Sequence, residues 1–285
     1  MRACNWIFLG LGLLVAIPAP SRAQPAGQCE PDKLKEKYPA LVGKTVNVGV
    51  SAGNLPFTFR DPKDLNKIEG IDIDLMTDVF KCIGVPWKIG VGVWSGLITA
   101  VAQGRDDVMW DSLYYTPERA KQVNYALYAA AATGFIVHKG NPKGITTVET
   151  LCGLNAAAGL GTVEETAFRA QGNKCVKEGK PDISVATYND ITQGEREIAN
   201  GRLDVIMTDL TQSSAIVEGN PELEVAFHIL SGFHVGVAVN KGETDLLHGI
   251  ADALKIEQAS GKEKAILIKY GVDPSLEYPT VIKTE

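Results

Sequence analysis

From about residue 45 onward, strand-like and helix-like patterns alternate along the chain, and this alternation limits what the chain can fold into. "TVNVGVS" carries Val46, Val48 and Val50 on one face, the period of a strand. "GIDIDLMTDVFKCIG" places Ile73, Met76, Val79, Phe80 and Ile83 at helical spacing, with Gly84 to end the helix. "WSGLITAVAQG" repeats the idea, with Ser95 as cap, Leu97, Ile98 and Val101 to pack, and Gly104 as stop. "DDVMW" then reads as a short buried strand, "YNDITQGEREIANG" as a helix and "LDVIM" as a strand. The class expected is α/β, with mostly parallel sheets flanked by helices.

One stretch recurs. "AQGRDDVMWDSL", from Ala102, and "ANGRLDVIMTDL", from Ala199, are each a helix end, a Gly-Arg turn, an Asp, an apolar strand and then polar residues. Two copies of such a unit so far apart imply two similar lobes. Chance likeness of a common αβ unit is the alternative. In the shared register Ser112 and Asp209 are equivalent, each just beyond the carboxyl end of its strand, the edge where open α/β sheets bind ligands.

Two helix starts lie near this edge. In "SLYYTPERAKQV", Thr116 fits an N-cap, Pro117 the first helical position and Glu118 an acid in the first turn. Arg119 opposes the helix dipole there, at a cost of about 0.3–1 kcal/mol. Either it is solvated beside Glu118, or it meets an anion from outside the protein. In "GLGTVEETAF", Thr162 and Glu165 fit a capping box, and Gly159 and Gly161 permit close approach of a ligand. Amides at a helix start favour an anion. A nucleotide loop is a poor fit, since the glycine pattern is incomplete, no Lys follows, and two glutamates repel phosphate.

These residues suit a zwitterion. Arg119 offers a donor fork for a carboxylate, Thr162 and nearby amides can donate to the same group, Asp209 can accept from an ammonium, and Ser112 can serve either. Helix capping or a surface ion pair is the alternative for Asp209. Phe57, Trp94 and Tyr114 are candidate aromatic walls, with the core as the alternative for Phe57.

The order "LPFTF", "GIDIDLMTDVFKCIGV", "WSGLITAVAQGRDDVM", "YTPERAKQV", "GLGTVEE", "NGRLDVIMTDL" and "GFHVGVAVNKG" resembles bacterial solute-binding proteins of polar-amino-acid ABC importers. The closing "SGKEKAILIKYGV" is similar to that family's last helix. The resemblance implies a two-lobed periplasmic-binding-protein fold of type II, closing over its ligand about a two-strand hinge. It implies crossings near Ala131–Thr133 and Gly232–His234, so that residues 28–131 with 234–285 form one lobe and 132–233 the other. It places the ligand carboxylate on Arg119, Gly161 and Thr162, the ammonium on Asp209, a hydroxyl contact on Ser112 and an aromatic wall on Trp94. Asp111 and Tyr114 stand where many relatives have small hydroxyl residues, and Asn54 where an aromatic is common. Asp111 would select a cationic or amide-bearing side chain, or else sit in a strand-end hydrogen bond. The expected partners are a small-molecule ligand and the membrane permease of an importer, and the expected state is a monomer.

The segment "WIFLGLGLLVAIP" is an apolar run of about 13 residues, with Arg2 before it and "SRA" after it. It reads as a secretory signal over 1–23, cut near Ala23, rather than a membrane anchor, and the expected location is the periplasm. Export leaves Cys29, Cys82, Cys152 and Cys175 in an oxidising compartment, where an even number implies disulfides. Cys29–Cys82 with Cys152–Cys175 keeps each pair inside one lobe, and free buried thiols are the alternative. A net charge of −6 without basic runs argues against nucleic acid or an acidic membrane surface as partner. The scattered histidines form no metal-ligand pair, so neither metal nor cofactor is expected. The expectation is a binding protein and not an enzyme. The alternative is an exported enzyme resembling cyclohexadienyl dehydratases on the same scaffold, whose general acid would be Glu164, Glu165 or Asp111.

Overall fold

The computed structural model describes residues 27–285, so the expected secretory signal lies outside the described residues. A nine-stranded sheet forms the frame. At one end, β1 (Val46–Val50) pairs in parallel with β2 (Trp87–Val91) and with β3 (Val108–Tyr114). Two long strands follow, β4 (Val123–His138) and the strand Leu223–Asn240, later in the chain, and they pair antiparallel over most of their length. At the other end, the strand Val205–Asp209 pairs antiparallel with β4 and in parallel with Asn155–Gly159, which pairs in parallel with Ser184–Tyr188. Glu277–Lys283 joins β4 as a side branch. Each lobe thus contributes three parallel strands, and the antiparallel pair runs through both.

Helices cover both faces of each lobe. The helix Ile71–Ile83 buries Leu75, Met76, Val79 and Phe80 against Val46, Val48, Val50 and Trp110. Gly84 ends it in the left-handed conformation with φ 83°, as its position predicts. The helix Trp94–Ala102 packs Leu97 and Val101 on the opposite face, against Met109, Leu113 and Tyr125. The second lobe repeats the plan. Phe168 of the helix Val163–Lys177 meets Phe135, Ala156 and Met207 on one face, while Ile191 and Ile198 of the helix Ile191–Ala199 meet Ile136, Ala157 and Ile206 on the other.

Both expected disulfides form. Cys29–Cys82 ties the segment before β1 to the end of the Ile71–Ile83 helix, and Cys152–Cys175 ties the loop before Asn155–Gly159 to the Val163–Lys177 helix. The two helix–turn–strand copies match down to single bonds. Asp107 and Asp204 each accept, through the side chain, the amide of a neighbouring strand's first residues, Asn47 at 2.8 Å and Asn155 at 2.9 Å. Gly104 and Gly201 turn with φ of 71° and 69°.

Two local expectations change. Ser95 does not cap its helix: Val93 holds the N-cap position, and the Ser95 hydroxyl instead points at Asn189 Oδ1 of the second lobe, 3.4 Å away. The Thr162 cap is real, its hydroxyl accepting from the Glu165 amide at 3.2 Å, but the return bond goes elsewhere. Glu165 Oε2 accepts from the Gly161 amide at 2.8 Å, because the φ of 78° at Gly161 turns that N–H toward the helix.

Candidate functional site

A cavity of about 430 Å³ opens between the lobes. Its walls are built where parallel strands end: Ser51–Asn54 after β1, Val91–Trp94 after β2, Ser112 and Tyr114 on β3, Gly159 and Leu160, Tyr188–Ile191, and Met207–Asp209. At those ends the backbone leaves the sheet and helix starts follow, so polar side chains and amides converge.

Arg119 is half-buried in the cavity wall. Thr116 caps the short helix Pro117–Ala120 by accepting the Arg119 amide at 3.2 Å. The guanidinium donates to the Tyr114 carbonyl at 2.8 Å and, across the cleft, to the Gly161 carbonyl at 3.0 Å. It also lies 5.4 Å from the centre of the Trp94 ring. Carbonyls and a ring face hold a cation without neutralising its charge. Burial lowers the Arg119 pKa, and Glu164 nearby opposes that change.

Asp209 lies on the opposite wall and does cap a helix. Its Oδ1 accepts the amides of Thr211 at 2.7 Å and Gln212 at 3.3 Å, at the start of the helix Leu210–Gly219. Its Oδ2 accepts the Tyr114 hydroxyl. Capping and cavity lining therefore coexist, since a carboxylate has lone pairs to spare. Burial raises its pKa, and the three hydrogen bonds oppose the rise.

Ser112 has a φ of 46°, which few residues other than glycine adopt, at a cost of about 1–2 kcal/mol. It lies beside a break in the pairing of β3 with its long neighbour, between Gly236 and Ala238, and such irregularities re-aim side chains next to functional sites. Its hydroxyl is buried with no hydrogen-bond partner among the described residues. Thr162 and Trp94 line the cavity, and Trp94 Nε1 donates to the Asp111 carbonyl at 3.2 Å.

Three candidates fall outside the lining. Phe57 is 7% exposed and belongs to the first lobe's core, packed with Ile71 and its neighbours. Asp111 is fully buried behind the wall, where Oδ2 accepts the Ser51 amide at 2.7 Å and Oδ1 accepts from Asn54 at 3.0 Å and from the Thr58 hydroxyl. Its strand-end hydrogen-bonding alternative is the one realised, and burial raises its pKa. Gly161 is not among the lining residues: its amide goes to Glu165 and its carbonyl to Arg119.

The cavity also gathers residues to which the sequence gives no binding role: Glu164, Arg60, Asn54, Tyr188, Asp190 and Gln212. In the sequence, Glu164 is a candidate only as the acid of the enzyme alternative. It is 6% exposed, and burial first, then the charge of Asp209, pushes its pKa up to about 7. Asn54 Oδ1 accepts from Gln212 Nε2 at 2.9 Å, a further bond between the lobes. Asp190 follows a strand and caps the next helix, as Asp209 does, so the strand-end rule already held its signal. Arg60 lies on a small three-stranded sheet whose strands are two to three residues long, too short for any periodicity.

The chain is 28% identical over 245 residues to the L-cystine-binding protein TcyJ of Escherichia coli K12, covering 85% of this chain and 86% of that one. An ancestral arginine-binding protein bound to arginine superposes with a TM-score of 0.73 at 29% identity, covering 79% of this chain and 97% of that one. The ancestral amino acid-binding protein AncCDT-1, a precursor of cyclohexadienyl dehydratase, gives 0.70 at 27% identity, covering 84% and 99%. The family model matches residues 46–273, and the chain belongs to the bacterial extracellular solute-binding proteins, family 3.

Proposed function

We propose that this chain captures a free amino acid in the cavity between its lobes and delivers it to the permease of an ABC importer, working in the periplasm after loss of its secretory signal. Arg119 and Thr162 take the ligand carboxylate, Asp209 takes the ammonium, Ser112 bonds either group, and Trp94 and Tyr114 form walls. The first lobe is 28–131 with 234–285, the second is 132–233, and the two long strands bend near Ala131–Thr133 and Gly232–His234 as the lobes close. The observation that carries the reading is a half-buried guanidinium and a capping carboxylate on opposite walls of one cavity. The bonds Arg119–Gly161, Asn54–Gln212 and Tyr114–Asp209 join the walls and support closure as the way a ligand is enclosed. The names of relatives, which include binding proteins for cystine, histidine and arginine, support a polar amino acid.

Thermal unfolding of the protein with each proteinogenic amino acid and L-cystine tests this. A true ligand at a hundredfold excess over its Kd stabilises by about 2.7 kcal/mol. Arg119→Ala should remove most of that gain, because a buried partner of a charged group is worth about 2–5 kcal/mol. Full ligand stabilisation in Arg119→Ala, or turnover of prephenate, would overturn the reading.

A further inference from the structure

Behind Ser112 lies a buried acid that none of the site's assigned roles uses. Asp72, the second residue of the Ile71–Ile83 helix, is 0% exposed. Its Oδ2 accepts the Ser112 amide at 2.6 Å and its Oδ1 accepts the Tyr128 hydroxyl at 2.6 Å. Tyr128 in turn packs its ring 6.3 Å from that of Trp110, two residues before Ser112. Both hydrogen bonds of the carboxylate thus come from neutral donors, and the acids Asp111 and Asp209 add repulsion. A buried carboxylate in such surroundings carries a desolvation cost, so its retention asks for a role.

Ser112 supplies one. It holds a φ of 46° in the cavity wall, and its hydroxyl is buried with no partner among the described residues. Its amide is taken by Asp72. We propose that Asp72 is a positioning residue of the ligand site: by accepting the Ser112 amide it holds Ser112 in the left-handed turn and leaves the hydroxyl free for the ligand. The inference rests on the amino-acid reading for what the hydroxyl meets, and on geometry alone for how it is held.

The role needs an acceptor and not a charge. In Asp72→Asn the amide oxygen can take the Ser112 N–H while the Tyr128 hydroxyl rotates to accept from the new NH2 group. Asp72→Leu fills the space and removes the acceptor. Two measurements decide. In urea unfolding, Asp72→Leu should cost less in a Ser112→Gly background, because glycine needs no help to stay left-handed. Additive costs, or failure of Asp72→Leu to fold in both backgrounds, would make Asp72 a core residue and overturn the proposal. In calorimetric titration with whichever of the proteinogenic amino acids and L-cystine binds the wild type, Asp72→Leu should weaken binding about tenfold, the loss of one hydrogen bond, with Asp72→Asn near wild type. Wild-type affinity in Asp72→Leu would also overturn it. If no member of that panel binds the wild type, the amino-acid reading falls, and the unfolding cycle still decides what holds Ser112.

Discussion

The two helix–turn–strand copies are alike until their last residues and then part. Both begin with a glycine in the left-handed region, Gly104 and Gly201, and both use an aspartate, Asp107 and Asp204, to tie their strand to its parallel neighbour. Beyond that, Ser112 turns left-handed and gives its amide to Asp72, whereas Asp209 stays extended enough to cap a ten-residue helix. Asp111 braces the loop after β1, while its counterpart Thr208 bonds Gln212 within its own lobe. The shared part builds the scaffold, and the divergent part builds the cavity wall, with Ser112, Thr208 and Asp209 lining it and Asp111 behind it. One lobe then offers a guanidinium and an unpartnered hydroxyl, the other carboxylates.

The largest effect separating the lobes should come from their disulfides. Cys29–Cys82 spans 53 residues and Cys152–Cys175 spans 23, so chain entropy gives stabilisations of about 4 and about 3 kcal/mol. Urea unfolding of the two paired Cys→Ser variants should show the larger loss for the first; the reverse order would mean that native packing and not loop length sets the difference.

Acidity should act on the second lobe's wall through Glu164. Its pKa of about 7 in the folded protein lies above the ordinary carboxylate value, so the folded state holds the proton more tightly than the unfolded chain. The resulting stability is present below about pH 4.5 and is lost as pH rises through 7, by on the order of 2–3 kcal/mol. Asp72, pushed up to about 7 by burial, acts in the same direction from the first lobe. Unfolding free energies measured between pH 5 and 8 should flatten in part in Glu164→Gln, and an unchanged slope would remove Glu164 from the balance.

The scaffold aspartates should behave as a pair. Asp107→Ala and Asp204→Ala should each cost about 1 kcal/mol, the loss of a bond from a backbone amide, part-buried at Asn47 and exposed at Asn155, with ligand affinity unchanged. A cost in only one of them would break the equivalence.

The smallest effects should expose the divergence. Asp209→Ala should lower stability by about 1 kcal/mol through its lost cap and weaken ligand binding as well. Ser112→Ala should weaken binding by about 1 kcal/mol while leaving stability equal or higher, since its hydroxyl has no partner to lose among the described residues. Equal stability losses in the two variants would mean that Ser112 is a scaffold residue after all.

Much of the fold is legible in the sequence. Helix periodicity, the left-handed stop at Gly84, the Thr116 cap and the repeat are local signals, and each depends on a few consecutive residues. Arg119 belongs with them, because its adverse place in a first turn is visible in the sequence. What sequence left open was which side of a wall a residue takes. Phe57 and Asp111 follow and precede the right elements, yet the small sheet folds Phe57 into the core and Asp111 turns to three donors behind the cavity. Where β3 departs from regular pairing at Ser112, the two-residue alternation that assigns faces stops applying, so the placing of Asp111 and Ser112 could not be read from spacing. Glu164 and Asp72 show the same limit: a carboxylate looks alike in sequence whether solvated or buried, and only the packing around it decides its charge and its partners. Local backbone preference sets where strands and helices begin and end; burial and long-range contact decide which of their polar residues face a ligand.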